Sequence, residues 1–250
     1  MNRRDAMPQH LCVIHMMRAG GHAVANWLEK NWPRPVQVVN DALHSMMDRV
    51  WQPQLDLAGD VLINVEDRTI AETQRRIGDV TNWHYILVLR DPFNLFASRD
   101  AYGAACQLPR IGPEPVDCWR EHARNAMAWN ASPPKDGTLI LFNQWFRSPV
   151  YRLHLAQHFK LKDARSSRFP DAGLNDVPRR GLGSSFDQLG YDGKAQQMPV
   201  LDRWKTQKPE WYAEQFDEDV CLLARFLFDS GIDKILGPVD DLVRAKTCHG

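Results

Sequence analysis

Short apolar runs alternate with segments of helical periodicity through most of the chain. Each run has the length of a strand and is bounded by polar residues, glycine or proline. The predicted strands are Leu11–Ile14, Val36–Val39, Val61–Val65, Tyr85–Leu89 and Thr138–Phe142. Strands that alternate with helices pair in parallel through helical crossovers, with helices on both faces of the sheet. The pattern therefore predicts a three-layer α/β fold with a central, mainly parallel sheet.

The helices are predicted from apolar residues that recur three or four positions apart. In residues 21–31, Val24, Trp27 and Leu28 share one face. Pro92 favours a helix start, because its missing N–H group would have no partner in the first turn. Further helices are expected over 116–130, over Tyr151–His158 and beyond Pro209, where the apolar face consists of Trp211, Phe216, Val220, Leu223, Phe226 and Leu227.

The stretch from Arg165 to Pro199 is rich in serine, glycine, aspartate and proline. Its composition is typical of a long ordered loop or lid rather than of a linker between domains. The 250 residues contain no internal repeat, and their 44% hydrophobic content is enough to bury a sizeable core. We therefore expect one domain over residues 1–250, with a loop or lid over 165–200.

Composition excludes several classes of function. The 31 basic residues balance the 31 acidic ones, so no overall field favours nucleic acid or a charged membrane surface. The five cysteines are scattered without metal-ligand spacing, which is typical of free thiols in a reducing compartment. No signal peptide is predicted, and no apolar run approaches the roughly 20 residues of a membrane span. A cytoplasmic protein without a membrane span is expected.

The first candidate site joins the strand before His15 to the helix of residues 21–31. In the loop Arg18-Ala19-Gly20-Gly21-His22, two glycines permit close backbone approach to an anion, and the arginine supplies several donors. The following helix N-terminus adds unpaired N–H groups and a positive dipole end. The loop therefore predicts a phosphate cradle, although a Gly-Gly turn between strand and helix is also an ordinary connection.

The second candidate site follows the strand Tyr85–Leu89, at Arg90-Asp91-Pro92. A helix that begins at Pro92 would bring Ser98 back toward the strand end, so that Arg90 and Ser98 could hold one anion together. The alternative is a structural Arg-Asp pair at the turn and a serine on a helix face.

Together the two segments resemble sulfotransferases that use 3′-phosphoadenosine 5′-phosphosulfate (PAPS). In that family a strand-loop-helix with the pattern Pro-Lys/Arg-Ser-Gly-Thr-Thr-Trp-Leu binds the 5′-phosphosulfate. A later strand ends in Arg-Asp/Asn-Pro, and its arginine binds the 3′-phosphate with a serine eight residues on. The resemblance covers roughly residues 11 to 160 and implies a fold like that of P-loop NTPases. It also implies that the donor is bound by Arg18, Ala19, Gly20, Gly21, His22, Ala23, Arg90 and Ser98.

Two further segments extend the resemblance. Residues 140–149 are similar to a family strand that ends in Tyr-Glu-Asp, with Gln144 where an acid is usual. A basic glycine-containing loop closes on the nucleotide in many members. The similar residues here are Arg179, Arg180, Gly181, Trp204 and Lys205.

The implied reaction moves a sulfuryl group from PAPS to an acceptor hydroxyl or amine, without a metal ion. Arg18 is the residue expected to stabilise charge at the bridging oxygen, since a guanidinium stays charged at any working pH. Glu66 ends a predicted strand where the family commonly has its catalytic base, and a pairing with Arg68 is the alternative. His44 is the second candidate base.

Two other functions remain open. The loop at Gly21 and His22 lacks the family's hydroxyl residues, which favours a degenerate or non-catalytic protein that binds PAPS or its bisphosphate product. A P-loop nucleotide-dependent kinase would need a Lys-Ser/Thr pair after the cradle, and that pair is missing. Composition does not distinguish a small-molecule acceptor from a glycan, nor does it indicate an oligomeric state.

Overall fold

The computed structural model describes residues 9–40, 58–77, 83–106, 115–162, 171–177, 187–228 and 232–247. Within them the elements follow in the order β1 (His10–His15), α1 (Gly21–Asn31), β2 (Val36–Val39), β3 (Asp60–Glu66), α2 (Ile70–Ile77), β4 (Trp83–Leu89), α3 (Pro92–Cys106), α4 (Pro115–Ala131), β5 (Gly137–Leu141), α5 (Phe142–Arg147), α6 (Pro149–His158), α7 (Pro209–Gln215), α8 (Glu218–Leu227) and α9 (Asp233–Thr247). Two 3₁₀ turns, Ala195–Gln197 and Arg203–Thr206, precede α7.

All strand pairs of the five-stranded sheet are parallel, in the order β2-β3-β1-β4-β5. The central strand β1 ends at His15, which lies beside Glu66 of β3 and Val88 of β4. Since these three strands run the same way, the loops that follow them begin at one edge of the sheet. That edge carries both candidate sites, so the α/β prediction is confirmed and the two motifs become neighbours.

Helices cover both faces of the sheet, and consecutive residues of each strand point to opposite faces. Leu11 and Val13 of β1 belong to one apolar core together with Trp27 of α1. Cys12 and Ile14 belong to the other core, with helices α4, α7, α8 and α9. The continuous apolar runs seen in the sequence are thus strands covered by helices on each side.

Most predicted element starts are confirmed, including the helix starts at Gly21 and Pro92. One boundary was wrong: Phe142 does not end a strand but begins α5, where its ring stacks on Trp145 with the ring centroids 5.7 Å apart. The predicted helical region after Pro209 forms three described helices.

One predicted core residue is also wrong. Phe226 is 67% exposed, and Leu222, one turn before it, is also exposed. The buried residues Val220 and Leu223 lie on the other face of α8, which packs toward the sheet. Among the described helices, none combines the length and apolarity that a membrane crossing requires.

Candidate anion-binding site

The loop after β1 turns sharply through two left-handed residues. Arg18 has φ 71° and Gly20 has φ 89°, and Ala19 N donates to Met16 O at 2.9 Å inside this turn. A left-handed conformation is strained for an arginine, so the surrounding contacts must hold it in place. Gly20 is the N-cap of α1, and no side-chain cap covers that helix start within the described residues.

The two glycines of the loop are required by close packing. A Cβ atom on Gly20 would overlap the ring of Phe142, and one on Gly21 would overlap the ring of His15. The missing side chains therefore let two rings approach the helix start. The approach of an anion to these glycines stays a prediction, and the structure adds the rings of Phe142 and His15 as close neighbours.

Arg90 links the two motifs. Its Nη1 donates to Ser98 Oγ at 3.2 Å and to the carbonyl oxygen of Arg18 at 2.9 Å, and its Nη2 donates to the carbonyl oxygen of Val200. The prediction that a helix starting at Pro92 returns Ser98 to the end of β4 is confirmed. Arg90, Ser98 and the Arg18 loop share one location.

Arg90 is buried and has no carboxylate within ion-pair distance among the described residues. The neighbouring Asp91 carboxylate accepts instead from Asn94 N at 2.9 Å and from Asn143 Nδ2 at 2.8 Å. The Nε of Arg90 has no hydrogen-bond partner within that same part of the chain. A buried cation in such surroundings is costly unless an anion joins it.

Burial lowers the pKa of the Arg90 guanidinium to about 10. Asp91 raises this pKa, whereas the positive charges of Arg203 and Arg18 lower it further. The group stays protonated at neutral pH. Arg203 pairs with Asp187, but Arg90 and Arg18 both contribute positive charge near one strand end. A phosphate or sulfate group would relieve their mutual repulsion.

An ion pair between Asp67 and Arg99 holds the Arg18 loop. Asp67 Oδ1 accepts from Met17 N at 2.9 Å and from Arg99 Nη1 at 2.7 Å, and Arg99 also donates to Met17 O at 3.2 Å. The guanidinium carbon of Arg18 lies 5.0 Å from the ring centroid of Tyr102. Asp67 and Arg99 thus fix the backbone that presents Arg18.

A chain of polar side chains occupies the same sheet edge. His15 contacts Met16 O through Nδ1 at 2.9 Å and Asn64 Oδ1 through Nε2 at 2.8 Å. Asn64 Nδ2 lies 2.7 Å from His22 Nδ1, and His22 Nε2 lies 3.2 Å from Glu66 Oε1. The side-chain atoms of His15, His22 and Glu66 that could bind a metal all lie within 4.8 Å of one another.

The pKa of Glu66 is lowered to about 2 by this neighbourhood. Burial raises the pKa, but the hydrogen bond with His22 and the charges of His15, His22 and Arg18 outweigh that effect. Glu66 is thus a carboxylate at neutral pH. The alternative pairing with Arg68 does not form, because Arg68 Nη1 donates to Glu72 at 3.2 Å instead.

The remaining predicted residues lie in the Arg203–Thr206 turn, at the start of α1 or outside the described residues. Trp204 N donates to Asn94 Oδ1 of α3 at 3.1 Å, which places the Arg203–Thr206 turn against the helix that carries Ser98. Lys205 pairs with Asp202 at 2.6 Å and is mostly exposed. Ala19 is buried and Ala23 half-buried at the start of α1. The predicted residues His44, Arg179, Arg180 and Gly181 lie outside the described residues.

Several residues of the site were missed by the sequence analysis: Asn64, Asp67, Arg99, Phe142 and Asn143. Asn64 carried a usable signal, because it is a polar residue inside the otherwise apolar run Val61–Val65. A buried polar residue in a strand needs hydrogen-bond partners at the same depth.

Comparison with known proteins adds no relative: no protein-family model, no curated protein and no solved structure matches this chain.

Proposed function

We propose that this chain is a PAPS-dependent sulfotransferase that sulfates a hydroxyl or amine of a small-molecule or glycan acceptor. The observation that carries the proposal is Arg90, a buried guanidinium without a carboxylate partner among the described residues. It touches Ser98 and the backbone of the loop that bears Arg18. The two motifs on which the resemblance depends are therefore parts of one positively charged site.

In this proposal the two ends of the donor bind to different parts of the site. Arg90 and Ser98 hold the 3′-phosphate, while Arg18 and the N–H groups at the start of α1 hold the 5′-phosphosulfate. Arginines supply the charge that a metal ion supplies in many nucleotide-binding proteins. Binding is accordingly expected without magnesium.

The transfer joins the acceptor oxygen or nitrogen to sulfur as the bond from sulfur to the bridging phosphate oxygen breaks. The electron pair of that bond leaves with adenosine 3′,5′-bisphosphate, and the acceptor's proton goes to a base. Arg18 stabilises the charge that develops on the leaving phosphate. Glu66 is the proposed proton acceptor, with His44 as the other candidate. The pKa of Glu66, lowered to about 2, keeps it ionised but also makes it a weak base.

A protein that binds the bisphosphate without transfer is the second candidate. One contact favours it: the Arg90 guanidinium already donates to the carbonyl oxygens of Arg18 and Val200. A bound phosphate would have to replace at least one of these oxygens. A kinase is not favoured, since Gly21 is not followed directly by a lysine and a hydroxyl residue.

The test is a screen of hydroxyl and amine acceptors with sulfur-labelled PAPS in metal-free buffer. Labelled product is expected with the natural chain, and Arg18→Ala should reduce its rate at least about a thousandfold, as loss of a charge-stabilising donor does. Glu66→Gln should reduce the rate while leaving bisphosphate affinity within about twofold. An Arg18→Ala protein with full turnover would reject the assignment, and bisphosphate binding without transfer to any acceptor would support the second candidate.

A further inference from the structure

The two side chains assigned to the 3′-phosphate are almost completely covered. Arg90 is 4% exposed and Ser98 is 5% exposed, so a phosphate group in solution does not reach their donors in this conformation. The guanidinium still has a donor to offer, because Nε of Arg90 has no hydrogen-bond partner among the described residues. Part of the covering chain must therefore move before an anion can bind here.

The Arg90 guanidinium contacts the Arg18 loop, the ring of Phe142 and the segment at Val200. Two of these neighbours are fixed. The Arg18 loop is held by the ion pair that also binds the carbonyl oxygen of Met17, and Phe142 is buried in one of the two cores. The segment at Val200 is the neighbour that can move at the lowest cost.

This segment is anchored at both of its ends. On one side, Ala195 N donates to the carbonyl oxygen of Asn175 at 3.1 Å. On the other side, Trp204 N donates to Asn94 Oδ1 of α3 at 3.1 Å. Every residue from 195 to 202 is half-buried or exposed. The middle of the segment can therefore leave Arg90 without removing a buried residue from either core.

Two overlapping turns present the Val200 carbonyl to Arg90. Val200 N donates to Met198 O at 2.8 Å, which makes Pro199 the centre of a three-residue turn, and Asp202 N donates to Pro199 O at 3.1 Å. The proline ring holds φ near the value that such a turn needs. The half-buried Val200 side chain also packs against one core. The turns and this packing together favour the covered state.

We propose that residues 195–202 form a strap whose Val200 carbonyl occupies Arg90 in the nucleotide-free protein, and that the strap must open before a phosphate group binds there. The carbonyl oxygen accepts the hydrogen bond that a phosphate oxygen would accept, so the strap and the ligand compete for Arg90 Nη2. The identity of the ligand rests on the proposed function, whereas the opening of the strap does not. The measured affinity is then reduced by the fraction of protein in the closed state.

Opening is tested without nucleotide by modifying arginines with phenylglyoxal and locating the products by mass spectrometry. Arg90 should react through the open state, so Pro199→Gly, which loosens the turn, should raise its rate about threefold or more. Pro238→Gly is the matched control, because that proline is also exposed but belongs to α9. Arg152 is the internal reference, since it is equally buried and its carbonyl partners belong to α5.

A second variant loosens the strap without changing its backbone. Val200→Ala removes the packing of this side chain against the core, and it should also raise the rate at Arg90. The rate at Arg152 should be the same in all four proteins. An Arg90 rate that neither strap variant raises, or an equal rise at Arg152 or in Pro238→Gly, would overturn the inference.

The competition has its own readout in stopped-flow tryptophan fluorescence with adenosine 3′,5′-bisphosphate. The observed rate should level off at the opening rate as the ligand concentration rises. Pro199→Gly should raise that plateau and tighten the Kd about threefold or more, whereas Pro238→Gly should change neither. An affinity that Pro199→Gly leaves unchanged or weakens would overturn the competition. If the bisphosphate does not bind while the strap variants still expose Arg90, the proposed function fails and the strap stands.

Discussion

The Arg90 guanidinium donates to the carbonyl oxygen of Arg18 over 2.9 Å, although 72 residues separate them in the chain. The contact exists because β1 and β4 are adjacent parallel strands whose following loops begin at the same edge. The Arg90 guanidinium therefore contacts both the Arg18 loop and Ser98. A ligand that replaces the carbonyl at Arg90 would also act on the loop that carries Arg18.

Ser98→Ala tests the predicted second half of the site. The change removes the hydroxyl that lies 3.2 Å from Arg90 Nη1, and we expect affinity for adenosine 3′,5′-bisphosphate to fall about five- to twentyfold. Calorimetric titration measures this. Ser148→Ala is the control, because that serine caps α6 through Tyr151 N at 3.1 Å and its loss should cost about 1 kcal/mol of stability without changing affinity. Equal affinities for the Ser98→Ala and natural proteins would contradict the prediction.

Gly21→Ala should destabilise the protein by about 2 kcal/mol or more, since the new Cβ atom overlaps the buried His15 ring. Urea denaturation followed by circular dichroism measures the change in the free energy of unfolding. Gly103→Ala in α3 is the matched control, because a Cβ atom there meets nothing within 4 Å. That variant should be neutral or stabilising by up to about 1 kcal/mol. A Gly21→Ala protein as stable as its control would show that the ring does not need this space.

Asp67→Asn should reduce turnover more than it reduces binding. The substitution weakens the ion pair with Arg99 that holds Met17, so the strained Arg18 is presented less accurately. We expect about a tenfold loss of kcat for sulfuryl transfer, with bisphosphate affinity changed by less than about threefold. Asp219→Asn, which weakens exposed pairs with Arg120 and Arg124, is expected to change neither. A loss confined to affinity would contradict the proposed role of Asp67.

Stability should fall as the pH decreases from 6.5 toward 4. Burial lowers the pKa of both His84 and His122 from 6.5 to about 4, so the unfolded chain takes up their protons first. A lowered folded-state pKa means that the stabilisation is complete above pH 6.5 and is lost below it, by up to about 3 kcal/mol at the fully buried His122.

Urea denaturation at pH 7.5 and pH 5.0 measures this loss above the range in which Glu66 titrates. His122→Gln keeps a donor for the carbonyl of Arg68, which His122 Nε2 contacts at 2.9 Å, and removes the titrating group. The pH dependence should therefore decrease in this variant. Identical pH dependence in both proteins would show that His122 does not contribute.

The fold could be predicted from the sequence because its strands are apolar on both faces. Continuous apolar runs such as Val61–Val65 indicate strands covered by helices, and the alternation with helical segments indicates parallel pairing. Phe142 was assigned to a strand because apolarity alone does not distinguish a strand's last residue from a helix's first. Phe226 was assigned to the core, yet α8 is covered on one face only.

The site was predictable where one strand and one helix decided the geometry. Arg90 and Ser98 meet because they belong to one strand-turn-helix unit. The network of Asn64 was not predictable, since it joins β1, α1 and β3, whose order in the sheet is not encoded in local spacing. The same reason explains why the Asp67–Arg99 pair was missed.

The central claim is that the two motifs bind one nucleotide with phosphates at both its 3′ and 5′ positions. The variant Arg90→Met tests this claim, because it replaces the charged side chain with a hydrophobic one of similar volume. Arg152→Met is its matched control, because Arg152 is also buried and also donates to backbone carbonyls, those of Trp145 and Phe146 at 2.6 and 3.1 Å. Both variants lose a buried arginine, but only Arg90 belongs to the proposed site.

Calorimetric titration with adenosine 3′,5′-bisphosphate in EDTA is the most direct measurement. We expect binding that is at least about tenfold tighter than that of adenosine 5′-monophosphate, a difference of about 1.4 kcal/mol or more. Affinity should fall at least about thirtyfold in Arg90→Met, through loss of a buried charged donor, and stay unchanged in Arg152→Met. Equal affinity for the two nucleotides, preference for ATP with magnesium, or full affinity in Arg90→Met would contradict the claim.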